Sequence, residues 1–225
     1  MYKIMILSAT ILLGGFVVLK ATRKAPAAPV DHHKTKSLSG QPAGNSAWQL
    51  LPQASEIQWK ASYITGGGHQ GTIGLLGGTL QTGNFQLITG GRFVIDMNSI
   101  RSTDLPDENG GKDLDQHLKS DDFFATGRFP TATFAVSGST PFVPANITGN
   151  LSLKGVSQPL TVPFVWHVQN DTLIVQANLT IDRTQWGINY HSEGILSAVK
   201  DGVISNKVDL VLQLRFGRMK AGDGC

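Results

Sequence analysis

A chain of 225 residues, 40% of them hydrophobic, suffices for one folded domain with extensions, and its composition excludes disorder across the main body. The net charge of +3 is concentrated at the start: residues 1–45 hold six Lys or Arg and one acid, Asp31, leaving 13 bases against 15 acids elsewhere. Without a basic stripe to neutralise phosphates, nucleic acid is excluded as a partner, and the single cysteine, Cys225, excludes an internal disulfide or a paired-cysteine zinc or redox motif.

The first element is apolar. Ile4 to Leu19 contains 16 residues without charge, preceded by Lys3, which is the arrangement of an export signal or a transmembrane helix. Ala25–Pro26–Ala27 offers small residues for cleavage, and no cysteine follows the run to carry a lipoprotein anchor. Residues 1–25 are therefore assigned to a signal peptide or N-terminal membrane anchor, the latter with membrane contact through residues 4–19. Residues 26–45, rich in Pro, Ala, Ser and Gly, read as a flexible linker; His32 and His33 within it are too weak a signal for a metal site. The folded body is placed at 46–218, with 219–225 as a disordered tail.

From Trp48 onward apolar residues recur at every second position, as a sheet with one buried face requires. Ile57, Trp59, Ala61 and Tyr63 form the first series. After a turn at Gly66–Gly68 come two short segments, TIGLL and GTLQ, separated by Gly77–Gly78. Phe93, Ile95 and Met97 follow, then Ala132, Phe134 and Val136, then Ile147, Gly149, Leu151 and Leu153. Leu160, Val162, Phe164 and Trp166 run into an Asn170–Asp171 turn and return through Leu173, Val175, Ala177, Leu179 and Ile181, a hairpin. Val208 to Phe216 alternate as the closing strand. One helix is expected, from Lys112 to Ser120, where Leu114 and Leu118 lie four apart and form an apolar edge that can cover one end of the sheet. Seven or eight strands separated by turns call for a closed barrel or a sandwich, and glycines within strands favour closure.

Chemistry-bearing motifs are scarce. No metalloprotease, nucleophile-elbow, phosphate-loop, dinucleotide or calcium-loop pattern is present. Gly66 to Gly71 lacks the Lys-Ser/Thr ending of a phosphate loop and reads as a turn. His117 and His167 read as a helix-end hydrogen-bonding residue and a solvent-facing residue; His69 and His191 are the histidines placed at the lumen. Ser120, Asp121 and Asp122 are expected to cap and turn the backbone. Asp182–Arg183 reads as a structural ion pair or turn clamp, with carboxylate binding through Arg183 as the alternative. No cofactor is expected and no catalytic residue is assigned.

Several longer stretches carry a resemblance: Ser55 to Lys60, Gly68 to Ile73, Gly90 to Ile100, His117 to Phe124 (HLKSDDFF) followed by Phe129 to Phe134 (FPTATF), Gly149 to Val156, and Ile181 to Tyr190. Over about residues 46–217 the chain resembles the YceI-like family of exported lipid-binding proteins. The resemblance implies an all-β fold, an extended eight-stranded antiparallel lipocalin-like barrel with a short amphipathic helix. It also implies a polyisoprenoid, a quinone tail or a related amphiphile as ligand, a periplasmic location and a homodimer. The family pattern places an acid directly after the Ser99–Ile100 pair; this chain has Arg101 there, and its next acid is Asp104.

The expected function is binding, storage or transport of a long apolar ligand in the lumen. The alternatives are an enzyme acting on an isoprenoid or lipid and a non-binding surface structural domain. Alternation nominates Trp59, Phe93, Phe134, Phe164, Leu179 and Leu212 as wall residues, with His69 and His191 at the headgroup.

Overall fold

The computed structural model describes residues 45–84, 87–141, 145–194 and 202–219. The apolar run at 4–19, the linker up to residue 44, and Cys225 lie outside them. The expected transmembrane helix is corrected: among the described residues no helix is long and apolar enough to cross a membrane.

Among the described residues there are nine strands: β1 (Ser46–Leu50), β2 (Glu56–Tyr63), β3 (Gly68–Thr82), β4 (Ile88–Ser102), β5 (Thr131–Ser139), β6 (Ala145–Leu153), β7 (Val156–Gln169), β8 (Thr172–Asp182) and β9 (Ile204–Arg218). From β2 onward each strand pairs antiparallel with the next, and β9 returns to pair with β2, which closes the sheet. β1 also pairs with both β3 and β9, so it continues the rail occupied by β2 after a 3-10 turn at Pro52–Ala54. The barrel therefore has eight strand positions, the first split in two. Closure leaves no free sheet edge.

Alternation carries the same argument in three dimensions. On β8, Leu173, Val175, Ala177 and Ile181 are buried, while Gln176, Asn178 and Thr180 between them are exposed. The expected hairpin turns at Asn170 and Asp171, both at positive φ (48° and 57°), as a two-residue turn of this kind demands.

The two segments expected on either side of Gly77–Gly78 form one strand, β3. The register with β4 shifts between Leu75 and Gly77. A bulge adds one residue, so the inward set changes from Gly71, Ile73 and Leu75 to Gly78, Leu80 and Thr82, and Leu76 is turned outward at 56% exposure. A second shift lies between Thr72 and Gly74; there the Ser99 hydroxyl accepts from the Gly74 N–H (2.7 Å) and donates to the Asp96 carbonyl (2.7 Å).

The meander sorts its connections by length. Those after β2, β4, β6 and β8 emerge at one end, and the β4–β5 connection there carries α1 (Gly111–Lys119). The Asp115 carboxylate accepts from the Ser102 N–H (2.6 Å), which fastens α1 to the end of β4, while Leu118 is buried against the core. Capping at its C-terminus differs from the expectation. The Ser120 hydroxyl donates to the His117 carbonyl, and Asp121 and Asp122 accept from Arg128 and His117. The opposite end holds the turns after β3, β5 and β7, and is plugged by Trp48, Leu50, Leu80, Ile88, Leu173 and Phe216, none more than 2% exposed.

Candidate functional site: an apolar cavity along the barrel axis

Above that plug the inner wall no longer closes on itself. On β9, Leu214 and Phe216 are buried, but Ile204, Val208, Leu210 and Leu212 are only partly covered. A cavity of about 180 Å³ results, lined by side chains from all eight strand positions, by Leu118 of α1, and by Phe123, Phe124 and Ile188 from the connections. Among the described residues that line it all but Arg183 are apolar, and Arg183 is buried with its guanidinium on backbone carbonyls.

Trp59, Phe93, Phe134, Phe164, Leu179 and Leu212 all lie on this wall. Three of the aromatic rings are seated over glycines of the neighbouring strand. A Cβ at Gly71 would stand 2.7 Å from the Trp59 ring, one at Gly78 2.8 Å from Phe93, and one at Gly149 2.8 Å from Phe134. The missing side chains let the rings lie flat against the wall instead of filling the axis. Phe93 and Phe134 then stack across the β4–β5 pair, with centroids 6.4 Å apart and planes 16° apart. The indole Nε1 of Trp59 is buried without a hydrogen-bond partner.

The two histidines expected at the headgroup are not among the residues that line the cavity. His69 sits opposite Ala61 on the inner face of the rim, but its Nδ1 lies 3.1 Å from the Asp104 carboxylate, which also accepts from the Gln70 N–H. His69 is thus held by the loop after β4 and does not line the cavity. His191 stacks on Tyr190 (4.1 Å between centroids) in the β8–β9 connection, at φ 46°, and also does not line it. His117 meets the expectation of a helix-end hydrogen bond, 3.1 Å from Asp122, and packs edge-on against Phe123 and Tyr190. His167 is exposed.

The residue that alternation alone passes over is Arg183. It follows Val175, Ala177, Leu179 and Ile181 in the inward series of β8, all of which line the cavity, and it is buried at 4% exposure. Its guanidinium donates to the carbonyls of Ser205 (3.1 Å), Ile188 (2.8 Å) and Ile204 (3.1 Å). No ion pair with Asp182 forms: that carboxylate accepts from the Thr184 N–H (3.0 Å) and hydroxyl (2.6 Å). Burial pushes the Arg183 guanidinium below its ordinary value, against the opposing pull of Asp182 and Glu193. Among the described residues no cluster of His, Cys, Asp or Glu is arranged to hold a metal ion.

A closed antiparallel meander with a plugged base, a helix at the other end and an apolar interior defines a lipocalin-like barrel. Residues 48–216 match the model of the YceI-like domain, and the chain belongs to that family. A UPF0312 protein of Shewanella denitrificans is 33% identical over 128 residues, which cover 50% of this chain and 64% of that protein. A UPF0312 protein of Pseudomonas paraeruginosa is 47% identical over 76 residues, covering 32% of this chain and 34% of that one. The chain thus spans less than two thirds of the length of these curated relatives. Two solved structures share the fold: BcnA of Burkholderia cenocepacia (TM-score 0.54, 18% identity, 74% of this chain and 98% of that one); and a polyisoprenoid binding domain from Saccharophagus degradans (TM-score 0.55, 18% identity, 77% of this chain and 99% of that one).

Proposed function

We propose that this protein is an exported, non-catalytic carrier that holds a long apolar ligand, a polyisoprenoid or related amphiphile, inside its barrel. One observation carries the reading: the interior contains a cavity that the protein's own side chains leave unfilled and that is almost wholly apolar. A structural domain has no use for such a void, because unfilled space forfeits dispersion contacts. Each methylene transferred into it contributes roughly 0.8 kcal/mol before ordering costs, so a flexible hydrocarbon binds without polar anchors along most of its length. The fold shared with a polyisoprenoid binding domain supports the same ligand class. Catalysis on the ligand would require an acid, base or nucleophile at the wall, and the described residues of the lining supply none. Trp59, Phe93, Phe134, Phe164, Leu179 and Leu212 are the proposed contacts, residues 1–25 the export signal, and 26–45 the linker to the barrel.

Native mass spectrometry and lipid extraction of protein purified from its own host test the reading. A bound lipid is expected, and Phe164→Asp and Phe134→Asp should each lose most of it, since a carboxylate cannot be buried unpaired against hydrocarbon. Folded variants with undiminished lipid would refute the wall assignment; wild-type protein without any lipid would refute the carrier. The same spectra give the mass of the assembly and so test the homodimer.

A further inference from the structure

The cavity has a closed end, and one aromatic ring makes it. Down β9 the inward side chains are covered progressively: Leu210 and Leu212 are half-buried, Leu214 is 4% exposed, and Phe216 is fully covered. Phe216 still borders the cavity, as the buried Leu80 and Ile88 do, so these three form its floor. Leu50 and Leu173, its register partners on β1 and β8, flank it without bordering the cavity. The Phe216 ring meets the Phe93 ring of β4, with centroids 5.6 Å apart. β4 and β9 are not paired; β3 and β1 stand between them in the sheet, so this contact crosses the interior instead of running along the wall. Phe93 is backed by Gly78 of β3 and stacked on Phe134, which fixes the far side of the brace.

We infer that Phe216, braced across the lumen on Phe93, limits how much hydrocarbon the barrel accepts and so sets the chain length of its ligand. A chain on the inner wall gains contact with each added methylene until its end meets this ring; further carbons stay outside and add nothing. From Ile204 to Phe216, β9 advances roughly 30 Å along the barrel axis, at about 3.3 Å per residue and a tilt of about 40°. Removing the ring deepens the lumen without breaching it, because Trp48, Leu50 and Leu173 still fill the end around it. A phenyl ring has six carbons and an isoprene unit five, so in a close-packed interior the space freed admits roughly one more unit. This inference rests on the carrier reading and adds to it the residue that selects the ligand.

Delipidated whole protein equilibrated with a mixture of prenols from geraniol to solanesol, one isoprene unit per step, provides the test; chromatography of the bound and free fractions gives the relative affinities. For wild-type protein, affinity should rise roughly tenfold or more per unit while the chain is still filling the lumen, then level off at a definite length. Phe216→Ala should move that break one unit longer. Phe216→Leu, which keeps an apolar side chain and so guards against unfolding, should raise affinity for the first prenol beyond the wild-type break about fourfold, the gain of one methylene. Leu173→Ala, equally buried but off the lining, should leave the break in place. A wild-type series without a break, a break unmoved by the Phe216 variants, or one moved as far by Leu173→Ala overturns the inference and leaves the carrier standing. Retention of no prenol at all defeats the carrier reading itself. If both Phe216 variants unfold, a crystal structure of wild-type protein with solanesol decides. A chain ending against the Phe216 ring supports the inference, and one that passes the ring or stops short of it overturns it.

Discussion

At the scale of single residues, the cavity wall holds one orphan among the described residues. The Trp59 indole N–H is buried without a partner, and an unsatisfied buried donor costs about 1–3 kcal/mol. Trp59→Phe removes that cost while retaining a ring over Gly71, so its urea-unfolding stability should stay within about 1.5 kcal/mol of wild type. Trp59→Ala, which empties the notch, should cost about 3–5 kcal/mol in the same measurement. Lys154 is the second informative residue. Burial and the neighbouring Arg128 hold its ammonium below the ordinary lysine value, against the opposing pull of Asp121 and Asp122. The folded chain therefore binds this proton less tightly than the unfolded one. The penalty is fully present at neutral pH and vanishes as pH rises past the ordinary lysine value, so stability from this group increases with pH across that alkaline window. Lys154→Met should flatten that rise, read as urea midpoints against pH.

At the scale of elements, what keeps the barrel hollow is the pairing of an inward glycine with an aromatic ring on the adjacent strand. On β6, Gly149 stands between the inward residues Ile147 and Leu151, and the Phe134 ring of β5 lies across it. A methyl there meets both that ring and the Ala135 carbonyl, a backbone atom that cannot swing aside. Gly149→Ala should therefore destabilise the protein by roughly 1–3 kcal/mol in thermal or urea unfolding, although alanine at a strand position ordinarily stabilises relative to glycine. A neutral or stabilising result would mean that β5 and β6 can separate without penalty.

At the scale of the whole molecule, stability and binding occupy different ends of one barrel. Leu173 and Phe216 are fully covered in the plug, whereas Leu212, higher on the same sheet, faces unfilled space. Leu173→Ala should cost about 2–5 kcal/mol by leaving a cavity among close-packed neighbours, and should leave lipid content nearly unchanged. Leu212→Ala should cost distinctly less, since it enlarges a space already present, and should alter the lipid retained. Equal destabilisation by the two substitutions, compared by urea denaturation, would contradict a filled base beneath an open lumen.

Alternation of apolar residues was legible without a structure, and with it the strands, the Asn170–Asp171 hairpin, the short helix and the inward orientation of Trp59, Phe93, Phe134, Phe164, Leu179 and Leu212. These follow from local chemistry, because side chains on a strand alternate faces whatever the strand pairs with. The β3 bulge was not legible: an inserted residue breaks the alternation, and TIGLL and GTLQ look like two elements until β4 supplies the register. Tertiary structure alone placed His69 against Asp104, thirty-five residues away, and His191 on Tyr190, both outside the cavity lining. It also decided that the axis stays open, since whether rings fill a barrel or lie against its wall depends on glycines across the strand pair. Arg183 shows the same division: its identity is written in the chain, but its burial with the guanidinium on the Ser205, Ile188 and Ile204 carbonyls exists only once β8 and β9 come together.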